Sequence, residues 1–188
     1  MSGISKILAA RAVADIEQGI ILATADIEAP PGNVFHAITS VSEIKTWWGP
    51  PDIYRVTNLI FELVIGGRYN AGVQLADGKI YPAIGRILEI NAPYKVAHTR
   101  RYDRDFPGLG QRETKVTYLL DPIAEFARVT VRHEGFVGCN SAAYQHAEGW
   151  ERVLGWLQDY FHAAALRNVP ARQTSSTSLR KISLLLPK

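Results

Sequence analysis

The change of hydrophobic period at Gly138 constrains this chain most. From Tyr54 to Phe136 the pattern is one of short strands separated by turn signals. The breaks fall at Gly66-Gly67, Asp77-Gly78, Asn91-Ala92-Pro93, Phe106 to Gly110, and Asp121-Pro122. Asp77-Gly78 is a tight-hairpin signal. Short connections join antiparallel neighbours, so about six strands in a row predict an antiparallel meander. After Gly138 the period becomes helical. Ala143, His146, Trp150, Val153, Leu157, Tyr160 and Ala164 lie three or four apart and form one stripe. This helix, about Ser141 to Leu166, is the longest predicted element, and its stripe must be buried against one face of the sheet.

Upstream, residues 1–18 read as a weakly amphipathic helical extension carrying Ile4, Ile7, Leu8 and Ala12, stopped by Gly19. Ile20 to Glu28 reads as a strand ended by Pro30 and Pro31. A short helix follows from about Asn33 to Thr39, with Pro31 suited to a first turn, and another starts near Ser42, a candidate N-cap. One strand, two short helices, a meander and a long helix define an α+β layered domain. A twisted sheet around one helix leaves space between them, a concave place for a small ligand. The domain spans residues 19–167, and 168–188 form a basic tail of linker-like composition.

That tail carries the chain's positive charge. The net charge is +3, yet Arg167, Arg172, Arg180, Lys181 and Lys188 lie in residues 167–188 with no Asp or Glu, so the body is slightly acidic. A nucleic-acid-binding domain would carry its cations on a folded face, and no nucleic-acid partner is expected. Ile182 to Leu186 at the tail's end could dock on the domain or on another subunit, so a homodimer stays open. No apolar run reaches the ~18 residues that span a bilayer. Arg11, Asp15 and Glu17 argue against a signal peptide, and the single cysteine, Cys139, allows no internal disulfide. These features predict a cytoplasmic protein.

Several motifs together resemble the family of activator-of-heat-shock-chaperone-ATPase homologues, within the START-like (birch-pollen-allergen-like, SRPBCC) superfamily. They are Ile27-Glu28-Ala29-Pro30-Pro31, Val34-Phe35, Trp47-Trp48-Gly49-Pro50, Gly66-Gly67-Arg68-Tyr69, Val116-Thr117-Tyr118, His133-Glu134-Gly135-Phe136, and His146 with Gly149-Trp150. The match runs from about Ile20 to Leu166, and the doubled tryptophan and the His…Gly-Trp helix are its most specific parts. The resemblance implies a helix-grip fold, a curved antiparallel sheet wrapped around the C-terminal helix, with an internal cavity. Its members include chaperone activators, apolar-ligand carriers, resistance proteins and cyclase-like enzymes, so fold alone does not choose a function.

Alternation assigns candidate site residues. Val129, Val131 and His133 share one strand face, as do Val116, Tyr118 and Leu120, and Val96 with His98. Tyr69, His98, Tyr118 and His133 are therefore candidate ligand contacts from the sheet. His146, Trp150, Val153 and Leu157 are the candidates from the helix stripe, and Trp47 or Trp48 would border the entrance. Gly149 predicts close approach of another element beside Trp150. Standard catalytic motifs fail. His133-Glu134 begins like a zinc-protease helix, but Val137 replaces the second histidine. The histidines lack metal-ligand spacing, and Gly108-Leu109-Gly110 lacks the context of a nucleotide loop. No metal or cofactor is expected. The reading is a binding protein for a small hydrophobic or aromatic molecule. Two alternatives stay open: a cyclase or hydrolase using His133 or His146 as acid-base in the same cavity, and a chaperone-binding module.

Overall fold

The computed structural model describes residues 7–50, 55–74 and 78–167. In chain order the elements are β1 (Arg11–Asp15), β2 (Ile20–Ile27), α1 (Pro31–Thr39), α2 (Val41–Trp47), β3 (Arg55–Phe61), β4 (Arg68–Gln74), β5 (Ile80–Asn91), β6 (Lys95–Tyr102), β7 (Thr114–Ile123), β8 (Phe126–Glu134) and α3 (Asn140–Arg167). The strands form one sheet in the order β1-β2-β8-β7-β6-β5-β4-β3, every pair antiparallel. From β3 to β8 the strands pair with their sequence neighbours. The α1–α2 connection carries the chain from β2 to the far edge. This is the α+β helix-grip arrangement.

The expected faces are the observed ones. Val129, Val131 and His133 on β8 are fully buried, while Arg128, Thr130, Arg132 and Glu134 between them are half-buried. Val116, Tyr118 and Leu120 on β7 and Val96 and His98 on β6 face the same core. On α3 the stripe of His146, Trp150, Val153 and Leu157 is buried, flanked by Ala142, Ala143, Ala147 and Leu154. Burying a leucine such as Leu157 stabilises by about 1.5–3 kcal/mol. α3 lies mainly against β2 and β1. Its other flank therefore leaves β5 and β6 partly uncovered, and an aromatic-lined pocket lies there.

Two expectations are corrected. Residues 11–15 are not helical but form β1, paired to β2 from Arg11↔Thr24 to Asp15↔Ile20. The segment alternates, with Arg11, Val13 and Asp15 exposed and Ala12 and Ala14 half-buried. As an edge strand, β1 has backbone N–H groups that need partners. α3 supplies them. The N–H groups of Ala10 and Ala12 donate to Gln158 Oε1 and Glu151 Oε2 at 2.9 and 3.0 Å. Tertiary pairing thus outweighs the weak local helical pattern. Second, β7 runs through Asp121-Pro122 to Ile123, and the chain turns at Ala124-Glu125, with Ala124 at φ 51°. A positive φ at the first turn residue gives the backbone twist a two-residue hairpin needs. Asp77 and the tail 168–188 lie outside the described residues, as do residues 1–6 of the expected helical extension.

Candidate ligand pocket

A pocket of about 390 Å³ opens between α3 and the uncovered part of the sheet. Its sheet wall is Tyr81 of β5 with Arg100 and Tyr102 of β6, and the loop after β6 adds Phe106 and Pro107. α3 provides the facing wall with Gln145, His146, Glu148, Gly149, Trp150, Arg152, Val153 and Trp156, and Trp48 closes the end beside α2. The lining is mainly aromatic. Tyr102 stacks on Phe106 with ring centroids 4.3 Å apart, and Tyr81 meets Phe106 edge-on at 5.3 Å. A much smaller recess of about 10 Å³ lies beyond it, lined in part by Tyr69 and Tyr118. Trp48 and Arg100 border both spaces.

A hydrogen-bonded chain fixes the polar part of the wall. His146 Nδ1 lies 2.7 Å from the Ala142 carbonyl oxygen. A carbonyl only accepts, so Nδ1 carries the proton and Nε2 is the acceptor of the neutral ring. The Tyr102 hydroxyl, 3.0 Å away, donates to that Nε2 and in turn accepts from the Arg100 guanidinium at 3.1 Å. Burial, then the charge of Arg100, pushes the His146 pKa down to about 4. The imidazole is therefore neutral near pH 7, as the tautomer requires.

His133 belongs to a second chain, behind the pocket. The indole N–H of Trp150 donates to His133 Nδ1 at 3.0 Å, so His133 Nε2 holds the proton and donates to Thr114 Oγ1 at 2.8 Å. The Thr114 hydroxyl in turn donates to the Arg100 carbonyl oxygen at 2.8 Å. Burial, followed by the charges of His146 and Arg100, holds the His133 pKa well below its ordinary value. His98 is likewise depressed to about 4 by burial, its ring stacked on Tyr69 with centroids 4.0 Å apart.

The sequence-derived candidates divide accordingly. Trp48, His146, Trp150 and Val153 line the pocket. Tyr69 and Tyr118 line the small recess. Trp47, His98, His133 and Leu157 line neither. Trp47 is a core plug whose indole N–H donates to the Ala37 carbonyl at 2.9 Å. Gly149 is corrected: a Cβ there would meet nothing within 4 Å, so no element approaches it closely. Its missing side chain instead widens the pocket. Sequence reasoning missed Tyr81, Arg100, Tyr102, Phe106 and Trp156. Alternation carried the signal for two of them, because the phase that turns Val96 and His98 inward also turns Arg100 and Tyr102 inward. Among the described residues no group of three or more His, Cys, Asp or Glu side chains is placed to hold a metal ion, and no helix is long and apolar enough to cross a membrane.

A sheet gripping a C-terminal helix, with a pocket between them, defines a START-like protein. Residues 28–162 match the family described as "Activator of Hsp90 ATPase homolog 1-like protein", and the chain belongs to that family. No protein of curated function matches the sequence. Solved structures with the same fold include a protein from Chromobacterium violaceum, 22% identical with a TM-score of 0.66, covering 76% of this chain and 96% of that one. One from Mycobacterium smegmatis is 16% identical with a TM-score of 0.68, covering 86% and 99%. The AHSA1 protein from Silicibacter pomeroyi is 20% identical with a TM-score of 0.62, covering 79% and 99%.

Proposed function

We propose that this protein binds a small, flat, largely apolar molecule in the pocket between β5, β6 and α3. One observation carries the reading: this pocket is walled by the rings of Tyr81, Tyr102, Phe106, Trp150 and Trp156. A cavity of a few hundred Å³ with apolar walls and few polar groups is what small-molecule sites share. Its volume of about 390 Å³ falls in the range of small-molecule sites. The proposed compartment is the cytoplasm, consistent with the lone Cys139. Titration with a panel of naphthalene- and flavone-sized compounds, followed by tryptophan fluorescence, tests the reading, because Trp48, Trp150 and Trp156 line the site. Saturable one-to-one quenching is expected; its absence across the panel would overturn the proposal. Turnover of a bound compound would make the protein an enzyme.

A second reading, contact with a chaperone, has one observation in its favour beside the family description. The β3–β4 turn exposes Val64 and Ile65, 61% and 74% accessible. Substituting both by serine would abolish such a contact and leave pocket binding unchanged.

A further inference from the structure

We infer that Trp48 is a gate between the pocket and the recess beyond it, and that the ligand is an elongated, biaryl-like molecule whose far end enters the recess when the indole turns aside. The inference rests on the reading of the pocket as a binding site and adds the residue that sets the length of its ligand. Pocket and recess lie on opposite sides of a partition to which Trp48 and Arg100 both belong. The two differ in how firmly they are held. Arg100 is buried on β6, and its guanidinium donates to the Tyr102 hydroxyl at 3.1 Å. The indole N–H of Trp48 is buried with no hydrogen-bond partner among the described residues. A buried donor left unpaired costs free energy, and folded proteins normally match it. The closed position therefore forgoes a bond that water or a ligand acceptor supplies once the ring turns out. Ring contacts favour the closed position: Trp47 lies 5.2 Å away and Trp150 stands edge-on at 6.3 Å. Such contacts are modest individually, so the two positions are close in energy. Trp48 follows the end of α2, whose body is tied to α3 by the Tyr160 hydroxyl donating to Glu43 at 2.6 Å. The side chain can thus change rotamer while the helix stays in place. With the gate closed, the recess of about 10 Å³ holds at most about one water. Its walls suit an apolar group, because Ile44, Leu59, Phe61 and Tyr69 form them. Turning the indole aside adds the volume of the ring and joins the two spaces end to end, which is why the ligand is long.

Stopped-flow fluorescence of the full chain with 2-naphthol and the longer 6-phenyl-2-naphthol, each read by its own emission, tests the gate. 2-Naphthol needs only the pocket and should bind in one phase whose rate rises linearly with concentration. The longer probe should add a slower phase that levels off at high concentration, the turning of the indole. Trp48→Ala should remove that slower phase and bind the longer probe at least as tightly as the parent protein does. Trp48→Phe, with a smaller ring and no N–H, should keep the fold, as its melting temperature will show, and speed the slower phase about threefold or more. A slower phase unchanged in both variants, or a longer probe bound by the parent in a single linear phase, would overturn the gate. Binding of the longer probe by Trp48→Ala alone would also overturn it, because Trp48 would then be a fixed wall. If 2-naphthol binds while these outcomes appear, the pocket reading stands without the gate; if neither probe binds the parent or its variants, the pocket reading fails and the gate with it.

Discussion

The indole N–H of Trp150 donates to Nδ1 of His133 across 3.0 Å, tying the pocket wall of α3 to the centre of β8. His133 is fully buried and lines neither space, so its polarity is used inside the core. Trp150→Ala should cost about 3–5 kcal/mol, since it removes a large buried ring and its hydrogen bond. Trp150→Phe keeps most of the packing but leaves the His133 Nδ1 lone pair unpaired, an expected loss of about 1–3 kcal/mol. Urea unfolding of both variants checks the order, and a Phe variant as stable as the parent would show that the bond contributes nothing.

The buried histidines make stability depend on pH. His98 and His146 each titrate near 4 in the folded protein, against 6.5 for the ordinary side chain, because burial opposes their charging. The unfolded chain therefore binds more protons between these values, and stability falls as pH drops from about 6.5 toward 4. Each shift corresponds to about 3 kcal/mol across that window. His133, depressed further, acts in the same direction. Melting temperature measured from pH 8 to pH 4 should be flat above pH 7 and fall steeply below 6.5. His98→Phe combined with His146→Leu should flatten the fall. An acid branch unchanged in that double variant would locate the sensitivity in other groups.

Much of this core was legible in the sequence, because burial on one face writes itself as period two in β6–β8 and as three-four spacing in α3. Val129, Val131, His133, Tyr118, His146 and Trp150 all follow from that. The pocket wall was less legible for a physical reason. An arginine and a tyrosine at Arg100 and Tyr102 look like solvent-facing positions, and only the continuing alternation of β6 places them inside. Phe106 lies in a loop, where no periodicity applies. The strand β1 was missed because its alanines suit a helix and its edge is completed by side chains about 140 residues away in sequence.

Gln158 anchors that edge. Its Oε1 accepts from the Ala10 N–H, and its Nε2 donates to the carbonyls of Leu8 and Asp26, all at 2.9 Å. Gln158→Leu keeps a similar volume and removes all three bonds. A loss of about 2–3 kcal/mol is expected, with faster hydrogen exchange at the Ala10 amide. Unchanged exchange there would mean β1 is held by its pairing with β2 alone.

Gly149 tests the pocket most directly. A side chain there meets no atom within 4 Å, yet the residue lines the cavity from the middle of α3. Gly149→Leu should raise stability by about 0.5–1 kcal/mol, because glycine is a poor helix former, while the new side chain fills part of the space. The decisive measurement is the affinity of an aromatic probe for this variant alongside its urea midpoint. A midpoint held or raised with affinity reduced about tenfold or more is the expected result; affinity equal to that of the parent protein would show that ligands do not bind in this pocket.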